Sequence, residues 1–181
     1  LRDNLNIIEN SEDIESLAMS VKDNGDVYFV PAFSGLSSPH WDETARGVLV
    51  GLSRFSNKSH IARAVLESVA YQSNELLESM EKDTGIKFDS VSVDGGMVVN
   101  NLLMQFQSDI FEKKIVTQEI NEITALGVGA ASYLFVNNLP LKNMNSFISK
   151  SKTWNPNMDS RQRKLYVSKW NKAVNKSKQW T

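Results

Sequence analysis

The residues best suited to chemistry run from Val91 to Asn101, in the order Val-Ser-Val-Asp-Gly-Gly-Met-Val-Val-Asn-Asn. Gly95 and Gly96 remove the side chains that would hold an anion away from the backbone, and glycine also reaches conformations closed to other residues. A helix beginning just beyond them offers unpaired N–H groups and the positive end of its dipole. A strand, a glycine pair and a helix in succession therefore suit a phosphate. The same order also describes a tight turn between a strand and a helix, and spacing alone leaves both readings open. The chemistry on offer is anion binding and charge stabilisation.

Little else in the chain competes with that stretch. His40 and His60 are far apart, neither has a metal-ligand neighbour at helical or strand spacing, and each is expected in a polar surface role. There is no nucleophile elbow, Walker loop or paired-carboxylate motif, so neither a catalytic nor a metal-binding residue is assigned in this chain. Cysteine is absent, which excludes disulfides and thiolate chemistry and is compatible with a reducing cytosol. Twenty basic and twenty-one acidic residues give a formal net charge of -1, with modest basic enrichment only after Lys142. That balance carries no bias toward nucleic acid or a membrane surface. No apolar run reaches the length of a bilayer span, and the first residues lack a secretory pattern.

The elements that must position the glycine pair follow from periodicity. With 181 residues, 41% of them hydrophobic, the chain can bury one sizeable core, and a single domain over 1–181 is expected. Leu1 to Asn4 reads as the tail of a helix whose start lies upstream, which makes residues 1–24 a lead-in to a fragment. Ser11 to Val21 reads as a helix with Ser11 as its N-cap. Strands are expected at Val27–Phe33 and Gly47–Leu52, separated by a loop, Ser34–Thr44, pinned by Trp41. Lys58 to Thr84 is the longest helix, capped by Asn57 and by a left-handed Gly85, with an apolar stripe through Ile61, Val65, Val69, Leu76 and Met80. Its charges, among them Arg63, Glu67, Glu75, Glu78 and Glu81, are expected to face solvent.

Around the glycine pair, a strand at Ser90–Val93 and a helix at Leu102–Phe111 are expected, followed by a strand at Lys114–Thr117 and a helix at Ile123–Phe135 opening near Asn121. Ala125, Gly127, Gly129, Ala130 and Ala131 imply close approach to that last helix, by a neighbouring element or by a ligand. Residues 146–181 read as a helical tail anchored by Trp154 and Trp170. Two adjacent strands and then strict alternation indicate an α/β domain with a mixed sheet covered by helices.

Longer motifs carry a resemblance. Gly47-x-Leu49-x-Gly51-Leu52, seven residues, then His60-Ile61-x-x-Ala64-Val65-Leu66-Glu67 resembles the C-terminal signature of the FGGY carbohydrate kinases. Val30 to Leu36, Pro39-x-Trp41-Asp42, Val93-Asp94-Gly95-Gly96, Asn100-Asn101, Leu103 to Asp109 and Thr124 to Gly127 are most similar to the family's glycerol-phosphorylating members. The resemblance covers essentially the whole chain. It implies an actin-like ATPase domain of the ribonuclease H-like kind, the second of two in a cytoplasmic and homo-oligomeric enzyme. A cleft between the two domains would hold ATP with Mg and the polyol, and the γ-phosphoryl group would pass to glycerol, leaving ADP and sn-glycerol 3-phosphate.

By the same resemblance Gly95 and Gly96 approach the nucleotide phosphates and Asn100 the nucleoside. The catalytic Asp, the polyol contacts and another phosphate motif belong to an N-terminal domain that is missing here. A further part of the nucleotide site is expected on the helix ending at Leu1 to Asn4. The chain departs from its relatives at Ser37-Ser38-Pro39-His40 and at Met97-Val98-Val99, where bulk replaces smaller residues near the nucleotide. A pentulose or gluconate kinase, or a non-catalytic actin-like interaction domain, would share most of these motifs.

Overall fold

In the computed structural model, residues 1–118, 122–147 and 151–180 are described. Asn121, the expected opening of the fourth helix, lies outside them. The elements are α1 (Asp13–Met19), β1 (Tyr28–Val30), β2 (Val48–Val50), α2 (Lys58–Thr84), β3 (Ser90–Val93), α3 (Asn101–Phe111), β4 (Lys114–Gln118), α4 (Ile123–Val136), β5 (Ser151–Trp154) and α5 (Ser160–Ser177). Short 3-10 helices span Gly96–Val99 and Leu141–Phe147. β1 and β2 form an antiparallel pair. β3 runs parallel to β4 and β5 antiparallel to it, so the three-stranded sheet is mixed, in the order β3-β4-β5.

α2 is the spine. Its N-terminus is closed reciprocally: the Asn57 side chain accepts from the N–H groups of Ser59 and His60, while His60 Nδ1 accepts from the Asn57 N–H. Gly85 ends it at φ 69°, where its N–H reaches Glu81 O at 2.9 Å and a side chain would be strained. Between these caps Tyr71 stacks on Trp170 of α5, with centroids 5.0 Å apart at 12°, and meets the edge of Phe106 of α3 at 5.5 Å. Aromatic pairs in these geometries add about 0.5–1.5 kcal/mol beyond their buried area. Leu103, Met104, Ile110 and Phe111 complete the core from α3.

Several sequence expectations fail, each for a physical reason. Residues 1–5 form turns rather than a helix tail, and Asn6 at φ 49° redirects the chain. Glu12, not Ser11, precedes α1, and no side chain caps that helix. Trp41 does not pin its loop: it is 77% exposed, and Asp42 does the work by accepting from the N–H groups of Thr44 and Ala45 and from the Thr44 hydroxyl. Not all the charges of α2 face solvent, because α1, α3 and β1 pack along the helix and Trp170 of α5 reaches Glu75; Glu78 does stay exposed, as expected. Glu67 and Glu81 are buried, and Glu75 Oε1 accepts from Trp170 Nε1 at 2.9 Å and from His40 Nε2 at 3.0 Å. His40 is thus committed to an internal contact, whereas His60 keeps a polar surface role in the α2 cap. The tail contains β5 as well as a helix, since the backbone of Ser151–Trp154 pairs with the open side of β4.

Candidate functional site

β3 delivers the chain to Asp94, and there the glycines divide two tasks. Gly95 stands at φ 93°, in the region that glycine alone enters cheaply, and turns the backbone out of the strand. Gly96 needs no unusual φ; it opens the 3-10 helix, and a Cβ placed on it would meet nothing within 4 Å. The first N–H groups of that short helix have no intrahelical acceptor. Helix α3 therefore does not follow the glycines directly, as the strand–glycine–helix pattern suggested.

The α3 N-terminus is already occupied. Asn100 is its N-cap, buried, with Oδ1 accepting from Leu103 N at 2.8 Å. Glu15 of α1 reaches across to accept from Leu102 N at 2.9 Å. One internal carboxylate and one amide thus satisfy donors that an anion would seek there. Sequence reasoning missed Glu15 because 87 positions separate the partners.

Gly96 and Asn100 line one cavity of about 530 Å³, together with Met97, Val99, Leu1, Arg2 and Glu15. Val65, Leu66 and Val69 of α2 provide an apolar wall. The bulky Met97 and Val99, singled out as departures, are walls of this cavity and half exposed, whereas Val98 turns into the core. A second cavity, about 410 Å³, lies on the other side of the 3-10 helix, bordered by Asp94, Gly96 and the buried Gln107, whose Oε1 has no hydrogen-bond partner. Val69, Gly96 and Met97 border both. No cluster of three or more His, Asp or Glu side chains suited to a metal occurs among the described residues. No helix among them is long and apolar enough to cross a membrane.

Two electrostatic features flank α2. Glu67 lies fully inside the protein, and this burial raises its carboxyl from the ordinary 4.5 to about 7 against the opposing pull of Arg63, whose Nε is 2.9 Å away. Asn24, Tyr28 and Tyr71 are buried beside it, and the Asn24 side chain bears on both Glu67 and Tyr28. At the other end, Glu81 is drawn down to about 2 by Lys113, by the Phe88 N–H and by Lys87. That carboxylate ties the end of α2 to the approaches of β3 and β4.

Comparison with known proteins places this geometry in context. The family model for the FGGY family of carbohydrate kinases, C-terminal domain, matches residues 1–133. The glycerol kinase of Azorhizobium caulinodans is 51% identical over 99% of this chain, and that of Brucella anthropi 50%; the chain spans 36% of each. Among solved structures, the Plasmodium falciparum glycerol kinase with ADP superposes with a TM-score of 0.86 at 34% identity, over 95% of this chain and 35% of that one. A xylulose kinase from Lactobacillus acidophilus, at 23% identity and a TM-score of 0.74, shares the fold over 97% of this chain and 35% of its own. The α/β architecture with a mixed sheet is thus the actin-like fold expected from the motifs. The chain belongs to the FGGY family of carbohydrate kinases and carries that family's C-terminal domain.

Proposed function

We propose that this chain supplies the nucleotide-binding half of an enzyme that transfers the γ-phosphoryl group of ATP to glycerol, giving sn-glycerol 3-phosphate and ADP. The observation that carries the reading is the cavity of about 530 Å³ joining Gly96 and Asn100, in a chain half identical to glycerol kinases. Its volume falls in the range of nucleotide-sized pockets, its α2 wall is apolar as a base requires, and its glycine edge leaves backbone N–H groups uncovered.

In this reading the nucleoside lies between the first residues and the 3-10 helix, with the Asn100 amide at its edge, and the phosphates run past Gly95 and Gly96. Phosphoryl transfer depends mainly on positioning and on neutralising charge, and the backbone donors of the glycine turn contribute both. Mg accompanies the phosphates; no residue of this chain is assigned to it. The base and the polyol contacts come from the polypeptide that relatives carry beyond the matched part, in a cytoplasmic homo-oligomer.

The test is kinetic. This chain alone should not phosphorylate glycerol, since base and acceptor must be held together for transfer. Within the complete enzyme, Gly96→Val should raise the KM for ATP by at least tenfold while the unfolding midpoint stays put. Unchanged ATP dependence in that variant overturns the reading.

A further inference from the structure

The 3-10 helix Gly96–Val99 sorts its side chains three ways. With three residues to a turn, positions i and i+3 eclipse, so Val99 stands over Gly96 on one face. Both residues border the cavity of about 530 Å³. Val98 takes the second face and closes into the core at 9% exposure. Met97 takes the third, at the border of both cavities. Val99 is 59% exposed and Met97 46%, although each is apolar. With Val65, Leu66 and Val69 of α2 they give the cavity an apolar lining shared between two elements. A contiguous apolar lining of that kind marks a ligand groove.

The polar groups at the same place are largely committed. Asn100 Oδ1 accepts from Leu103 N, Glu15 Oε1 accepts from Leu102 N, and the Arg2 and Asp3 side chains hold each other at 2.7 Å. Those groups are spent within the protein rather than turned to the edge of a ligand. What the cavity offers in their place is apolar area. A purine presents two fused rings and a pyrimidine one, so a lining that recognises area ranks bases by size. The two side chains suit the task differently. Met97 is unbranched and polarisable and adapts to the face of an aromatic ring, whereas Val99 is stiff at χ1 and fixes an edge.

We infer that Val99 and Met97 are specificity-determining residues for the nucleotide: the base packs on them, and they favour a purine over a pyrimidine nucleoside triphosphate by its size. Val99 carries the larger share, because it lies on the same face as the glycine past which the phosphates run, and Met97 flanks it. That selection presupposes the nucleotide reading given under Proposed function and adds to it the residues that choose the base.

The test measures kcat/KM for ATP, GTP and CTP in the complete enzyme, with inhibition of ATP turnover by CTP supplying the last value where CTP turns over too slowly. Val99→Ala should lower the ATP-to-CTP ratio, and Val99→Ala combined with Met97→Ala should lower it by about tenfold, the scale on which apolar pockets respond to small changes in bulk. The loss should fall on the KM for ATP rather than on kcat, and the ATP-to-GTP ratio should not move. Val99→Ile with Met97→Leu keeps the apolar bulk and should keep the parent's preference. Val98→Ala, in the core, should lower the melting temperature and leave both ratios alone. Met97 and Val99 are exposed, so their variants should melt with the parent in circular dichroism, which separates selection from misfolding. An ATP-to-CTP ratio that survives the double variant overturns the assignment. So does a fall confined to ATP against GTP, which means that hydrogen bonds read the base edge. If Gly96→Val leaves the KM for ATP unchanged, the nucleotide reading itself fails. If Gly96→Val raises it while the double variant keeps the parent's preferences, only the selection by Val99 and Met97 fails.

Discussion

Replacing the interior Glu67 by Gln should flatten the pH dependence of stability near neutrality. The carboxyl is raised from 4.5 to about 7 chiefly by burial, with Arg63 opposing. Between those values the folded state holds a proton that the unfolded chain has released, so stability falls as pH rises through the window. The stabilisation is whole below the ordinary value and gone above the folded one. Each unit of displacement is worth about 1.4 kcal/mol, so the loss across the window is about 3.5 kcal/mol. Gln has nearly the same shape and does not titrate; the Arg63 guanidinium, which also donates to Val21 O, keeps a partner. Urea unfolding of parent and variant at about pH 5 and about pH 8 measures the difference, which should shrink by most of that amount in Glu67→Gln. The acid-side groups, Glu81 foremost, titrate below the window and do not confuse it. An equal pH difference in parent and variant refutes the reasoning.

Gly95→Ala places a side chain at φ 93° and should cost about 1–2 kcal/mol, read from the urea midpoint. Gly96→Ala has neither strain nor a neighbour and should stay within about 0.5 kcal/mol of the parent in the same assay. Asn100→Ala removes the cap of α3 and should cost about 1 kcal/mol, whereas Asn100→Asp keeps the acceptor and should melt near the parent. Glu81 contributes stability above its ordinary value of 4.5 that is lost as pH falls toward about 2. The stability gap between the parent and Glu81→Gln should therefore close on acidification, as followed by unfolding midpoints.

Local grammar made α2 readable to the residue, because Asn57 and Gly85 declare its ends without help from distant parts. β3 and the glycine turn were readable for the same reason. The periodic stripe of α2 misassigned Glu67 and Glu81, since a helix enclosed on several sides buries its polar face as well and then needs Arg63, Lys87 and Lys113 to make that tolerable. β5 escaped notice because Lys152, Thr153 and Trp154 lack an alternating pattern; their pairing depends on β4, more than thirty positions away. At the candidate site, the glycine turn was legible from types and spacing, whereas Asn100 entered only through the family resemblance. What was not legible is that Asn100 spends its acceptor on Leu103 and that Glu15 arrives from another helix.

The Glu15 bond to Leu102 has a thermodynamic consequence. A phosphate and the carboxylate compete for the same N–H groups and the same positive dipole end, so anion binding at α3 and the docking of α1 on it are mutually exclusive. Any ligand that drew its phosphates from the glycine turn toward α3 would have to release α1, and α1 supplies a wall of the cavity. The two events are then negatively coupled, each weakening the other by the same factor. In the proposed reading Glu15 is a built-in competitor for the α3 N-terminus, and Glu15→Gln, which keeps the acceptor but not the charge, would relax that competition without unlatching α1.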